Sequence, residues 1–176
     1  MAIICALNKD VLKTSNCGYS LPTIQDIYLA NYSDVTATAI SASEEGEDEI
    51  TGITMASGKK FYHIEPAKDS VTFTDDLATG TTGNKYRAVT LTFSVNGAYT
   101  KEMHSFLDAI SLGKYFAVVK NAEGNYLAIA RLTGVEASAS SLAAGNDQNG
   151  ITVTLSANVA ESTMTLSDDA IAVVVG

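Results

Sequence analysis

The fold can be read from RAVTLTFSV, residues 87–95, with the segments that follow it, NGAYTKEMHSFLDAISLG (96–113) and KYFAVVKNAEGNYLAIARL (114–132). In the first, Val89, Leu91, Phe93 and Val95 alternate with Thr90, Thr92 and Ser94, the period of a half-buried strand. After Asn96-Gly97 the period changes: Met103, Phe106, Leu107 and Ile110 fall at i, i+3, i+4 and i+7, which predicts an amphipathic helix over about 100–112. Thr100 is placed to be its N-cap, Glu102 sits near the positive end of the helix dipole, and Gly113 is expected to end it in a left-handed conformation, with Lys114 beside the negative end. Tyr115 to Leu132 then reads as a β-hairpin turning at Asn121–Gly124. Leu91, Phe93, Met103, Phe106, Leu107 and Ile110 are the expected core, with the helix packed on the strand that carries Leu91 and Phe93.

Working outward, residues 1–23 scatter turn-forming Asn16, Gly18 and Pro22 among apolar groups, the pattern of an N-terminal arm laid over the domain. Ile24 to Tyr32 reads as a strand with apolar cover on both sides, Ile27 and Leu29 facing one way and Tyr28 and Ala30 the other, continuing toward VTATAI (35–40). A long acidic loop or hairpin region spans about 41–84. It opens with Glu44, Glu45, Glu47, Asp48 and Glu49, a run that solvates well and packs badly. Within it, EITGITMA and KKFYHIE around Ser57-Gly58 suggest a second hairpin, Val71 to Thr74 a short strand, and Leu77 to Asn84 a loop. Residues 134–144 are rich in small side chains, and Asp147 to Gly150 is a turn signal leading into a strand with Ile151, Val153 and Leu155 inward. The final apolar run, AIAVVV (170–175), has high β propensity and is expected to pair as a strand, within the fold or with a neighbour. With one helix evident, the class is mainly β: a single domain built as a sandwich or rolled barrel with a flanking helix.

A chain of 176 residues with 46% hydrophobic content can build a core without metal or disulfide staples. Acids outnumber bases 20 to 11, and without a Lys/Arg cluster the chain lacks the positive footprint that holds phosphates. MAIICALNKDVL shows neither the basic segment nor the long apolar run of an export signal, and no stretch approaches a membrane span. Cys5 and Cys17 are read as reduced thiols rather than a bridge.

Chemistry-bearing patterns are sparse. His63 and His104 have no metal-ligand spacing and are assigned surface or packing roles. Gly80 to Lys85 lacks the full phosphate-loop spacing, and Ser57 to Lys60 matches a short Ser-Lys pattern without its supporting motifs. Asp147 and Asn149 begin like a calcium loop, but the twelfth position is Asn158 rather than glutamate. No nucleophile, base and orienting group assemble, so the expectation is a non-enzyme with no cofactor and no metal.

The order strand, helix, hairpin, Asn/Asp/Gly turn and amphipathic strand resembles the tail tube proteins of tailed bacteriophages. The segments that carry the resemblance are LTFSV (91–95), Met103 to Ala137, and AAGNDQNGITVTLSA (143–157), while QDIYLANYSDV (25–35) is similar to virion proteins of phages of Bacteroides-like hosts. The resemblance implies a β-sandwich with a flanking helix, six copies to a ring, and stacked rings that conduct DNA. Partners would then be the chain itself and other tail or virion proteins, with DNA as non-sticking cargo, no membrane, and a location in the virion tail after synthesis in the host cytoplasm. Glu44, Glu45, Glu47, Asp48 and Glu49 would lie in the lumen, at the ring seam or on the outer surface. The alternatives are another β-fold assembly subunit: a capsid decoration or tail terminator protein, or a fimbrial or surface subunit.

Overall fold

A computed structural model describes residues 23–41, 48–97, 100–145 and 149–176. The chain is mainly β. Its elements are β1 (Ile24–Asn31), a 3-10 turn (Tyr32–Asp34), β2 (Val35–Ser41), β3 (Glu49–Met55), β4 (Tyr62–Ile64), β5 (Thr72–Thr79), β6 (Lys85–Asn96), α1 (Lys101–Leu112), β7 (Lys114–Asn121), β8 (Tyr126–Ile129), β9 (Val135–Ala144), β10 (Asn149–Val159), β11 (Met164–Leu166) and α2 (Asp168–Val175). The N-terminal arm, apart from its last residue Thr23, falls outside the described residues, as do Cys5, Cys17, Glu44, Glu45, Glu47 and Asp147.

β7 is the junction of the sheet. Along one side it pairs with β1 from Asn121 to Tyr115. On its other side it meets β8 through Ala117–Lys120 and β9 through Lys114 and Tyr115. Two branches therefore leave one strand, β8-β11-β3-β2 and β9-β10-β6-β5, while β1 carries the short β4. All pairings are antiparallel except β3 with β11.

The branches bring two apolar faces together. Leu91 and Phe93 of β6 and Val153 and Leu155 of β10 pack against Ile27 and Leu29 of β1 and Ala117 and Val119 of β7, making a sandwich core closed by α1. The reverse face of β1 and β7, with Tyr28, Ala30, Phe116 and Val118, packs on Ile50 and Ile53 of β3 and on Ala170 and Val174 of α2. Tyr115 through Val119 are all buried, so one chain covers both faces of its central strand. The two-faced apolar pattern of YFAVV therefore calls for no neighbouring subunit.

The C-terminal apolar run is a helix rather than a strand. Ser167 accepts a hydrogen bond from the Ala170 amide, and Asp168 and Asp169 occupy the positive end. This cap and acid pair overrode the β propensity of the valines, and α2 supplies the third layer over β3. α1 keeps its expected N-cap, Thr100 Oγ1 accepting from Met103 N, but Gly113 is extended (φ −91°, ψ 170°) instead of left-handed. Glycine is needed there for space: a Cβ would overlap the Tyr115 hydroxyl, which donates to the Ala109 carbonyl at 2.6 Å.

Three further expectations change. β3 and β4 are not a hairpin; β3 pairs with β2 and β4 with β1, because the turn at Ser57-Gly58 carries the chain from the β3–β2 branch to the edge of β1. Of Leu77 to Asn84, Leu77–Thr79 finish β5, and the loop is the shorter turn of residues 80–84 that leads back into β6. β1 does not run on into β2, since the 3-10 turn at Tyr32–Asp34 breaks it. The small-residue segment from Val135 proves to be the ten-residue β9.

Candidate assembly surfaces

A strand with a neighbour on one side only offers a row of unpaired amides and carbonyls, and folded proteins guard such edges with charge, proline, bulges or shortness. Among the described residues, β2 pairs only with β3, β4 only with β1 and β5 only with β6. β9 is half open: its first two residues pair with β7, and the rest have a partner only in β10. β4 is three residues long, and β5 carries Asp75 and Asp76, so these two are guarded. β2 (VTATAIS) and the open part of β9 (ASASSLAA) contain neither charge nor proline. β2 shows only small β-bulges as guards, whereas β9 beyond its first two residues has the helix α1 beside it, with Ser111 Oγ 2.8 Å from Ser140 Oγ.

β2 is held rigidly. Arg131, 13% exposed, donates through Nη1 to Thr38 Oγ1 at 3.0 Å and through Nη2 to Glu161 Oε2 at 2.7 Å. The Tyr32 hydroxyl donates to the Leu132 carbonyl at 2.6 Å, fastening the 3-10 turn to the same loop. Glu161 is 3% exposed, and among the described residues its Oε1 and the Nε of Arg131 have no hydrogen-bond partner. Neither residue stood out in the sequence; a lone Arg at the end of a hairpin carries no signal of a buried glutamate thirty positions on.

The β5 edge has its own tie. Asp75 accepts from Arg87 Nε at 2.7 Å and from the Thr163 amide and hydroxyl at 3.1 and 2.9 Å. Burial alone would raise its carboxyl, but the Arg87 and Thr163 hydrogen bonds outweigh that and hold it below the usual carboxylate range. His63 fastens β4 in the same manner, with Nε2 2.8 Å from Asp26 Oδ1 and its ring stacked on Tyr28. Burial, then the neighbouring Tyr126 and Asp26, push the Tyr28 phenol up to about 12. His63 thus has a packing role, while His104 is exposed on α1.

Between β4 and α1 lies a cleft of about 370 Å³ lined by Leu29, Tyr62, Ile64, Phe106, Ile110 and Tyr115, among others. It explains why the expected core residues of the helix differ in burial. Ile110 is fully buried with Leu91 and Phe93, while Met103, Phe106 and Leu107 are only partly buried around the same cluster. α1 lies closest to β9, to which Ser111 Oγ is joined by a 2.8 Å contact with Ser140 Oγ. The cleft is mostly apolar, with Asn31 and His63 also in its lining.

Of the acidic run, Asp48 and Glu49 are described. Glu49 begins β3 between Ser41 of β2 and Thr165 of β11. Among the described residues no three His, Cys, Asp or Glu side chains converge as a metal site, and no helix is long and apolar enough to cross a membrane. Comparison with known protein families, with curated proteins and with solved structures finds no match to this chain.

Proposed function

We propose that this chain is a structural subunit that assembles with copies of itself, a tail tube protein of a tailed phage whose stacked rings conduct DNA. The observation that carries the reading is the seven-residue β2 edge, which has neither charge nor proline and pairs only with β3 among the described residues, an edge that a protein that stays monomeric has reason to guard. Exposed apolar side chains add to it: Leu112 is 90% and Leu132 51% exposed. The sandwich with a helix closing one side agrees with the architecture that the resemblance implies, and its segments become β6, α1, the β7–β8 hairpin and the β9–β10 pair. A net charge of −9 suits a wall that DNA slides past, because each cation–phosphate contact is a pause. The function so read is mechanical, with no turnover chemistry and no cofactor. Sedimentation across a concentration series, with negative-stain microscopy of the same samples, tests it. Rings or tubes are expected; a chain that stays monomeric at every concentration would overturn the proposal.

A further inference from the structure

We propose that residues Ala2–Leu7 of the chain's own N-terminal arm lie as a strand in the cleft between β4 and α1, paired with the free edge of β4. The proposal does not rest on the assembly reading, because arm and cleft belong to one chain.

The cleft is shaped for such an occupant. Among the described residues β4 pairs with β1 and with no other strand, and Tyr62, His63 and Ile64, the whole of β4, line the cleft, so the unpaired edge borders the space. Across from it stands α1, whose Met103, Phe106 and Leu107 stay only partly buried although they share a helix face with buried Ile110. Past Phe106 the cleft continues into a second hollow of about 560 Å³, bordered by Ile64, Glu65, Asn96 and Met103, and the two together form a groove rather than a pit. A strand laid in this groove covers apolar surface and pairs backbone groups of β4 at the same time.

The arm is the segment of this chain that fits. Outside the described residues lie 1–22, 42–47, 98–99 and 146–148. The last three read Ala-Ser-Glu-Glu-Gly-Glu, Ala-Tyr and Asn-Asp-Gln, whereas 2–7 reads Ala-Ile-Ile-Cys-Ala-Leu, six apolar residues in a row. Extended, that run sets Ile3, Cys5 and Leu7 on one face, the face laid on Phe106 and Ile110. Its tether is long enough. The arm joins the fold at Thr23, whose carbonyl accepts from the Ala122 amide. Thr23 precedes Ile27, the β1 partner of Ile64, by four residues and Asn31 at the far end of the cleft by eight. These are distances of about 13 and 26 Å along the strand. Residues 8–22 reach about 50 Å when extended, so 2–7 enter the cleft with slack. A tether this short also holds 2–7 near its own cleft at an effective concentration of roughly millimolar, which favours it over the same segment of another copy.

The experiment uses the full chain with Cys17→Ser, so that Cys5 is the sole native thiol, and adds either Ala109→Cys in the cleft or, as a control, Ala37→Cys on β2. Both alanines are exposed, and the circular dichroism of the parent is expected to be kept. A disulfide forms only where the two Cα atoms come within about 7 Å. With oxidised glutathione as the electron acceptor, Cys5 is expected to bond to the thiol at position 109 within one chain, at a rate independent of protein concentration, and not to the thiol at position 37. No bond at 109, or the same yield at 37, would overturn the proposal. A bond between chains would give the cleft to another copy's arm and overturn it as well. Amide exchange gives a reading without introduced thiols. Exchange at 62–64 is expected to be slower in the parent than in an Ile3→Asp, Leu7→Asp chain, with β6 and β10 alike in both; equal exchange at 62–64 would overturn the pairing with β4.

Discussion

Arg131 and Glu161 show what one buried pair asks of its surroundings. Taking both charges out of water is costly, and their 2.7 Å contact with one further bond to Thr38 offsets that cost only while both are present. Replacing Arg131 by Met leaves the Glu161 carboxylate buried alone, and a loss of about 3 to 5 kcal/mol is expected from denaturant unfolding. Glu161→Gln paired with Arg131→Met should recover part of it, because the uncompensated charge is gone. Asp75 makes a pH-dependent contribution of the other kind. Its carboxyl titrates below its ordinary value of 3.8, so its stabilisation is present above that pH and is lost as pH falls through the lowered folded-state value. The difference in thermal midpoint between the parent and Asp75→Asn should therefore be widest near neutral pH and shrink below the ordinary carboxylate value. A difference that stayed constant into acid would mean that the Arg87 and Thr163 bonds do not discriminate the charged form.

At the scale of elements, the helix α1 separates two kinds of apolar residue that look alike in sequence. Ile110 is 1% exposed among Leu91 and Phe93, and Ile110→Ala should cost about 2 to 5 kcal/mol. Phe106 lines the cleft beside β4, so in the Ile3→Asp, Leu7→Asp chain, with the arm displaced, Phe106→Ala leaves a gap that water already borders and should cost clearly less than Ile110→Ala. In the parent, where the arm covers Phe106, the two losses in thermal unfolding should lie closer together. An equal cost of Phe106→Ala in both backgrounds would mean that the arm does not reach it. What could be read from the sequence was what repeats at a fixed period: β6, α1, the β7–β8 hairpin and the inward face of β10. β9 escaped because alanine and serine give no contrast between faces, although the strand is ordered by two neighbours. α2 escaped because valines favour strands, and only the Ser167 cap with its two aspartates argued otherwise. β3 and β4 were paired wrongly because a turn shows where the chain reverses and not which strand receives it. Long-range partners such as Asp26 with His63 or Arg131 with Glu161 leave no local trace.

For the whole molecule, burial and charge point to different places for function. One chain covers both faces of β7 by itself, so the YFAVV pattern is no argument for assembly, and the proposed assembly rests on the β2 edge instead. Edges that pair around a ring leave the outer faces of the strands to form its walls, and the wall facing DNA then has to let a line of phosphates pass. A basic wall would bind by counterion release, whereas an acidic one leaves the duplex hydrated. The expected outcome is a channel on which Asp and Glu outnumber Lys and Arg, checked directly in a density map of the assembled tube. The run from Glu44 to Glu49 need not be the source. In sequence it lies between β2 and β3, whose ends Ser41 and Glu49 are paired, so it could act at a contact between copies as well as in a channel. Replacing Glu44, Glu45 and Glu47 by Gln separates the two roles. If the run belongs to a contact between copies, the variant assembles less readily and its assembly loses part of its salt dependence, while the channel keeps its negative character from the rest of a subunit whose acids number 20 against 11 bases. If it lines the lumen instead, assembly is unchanged and the mapped channel potential becomes less negative.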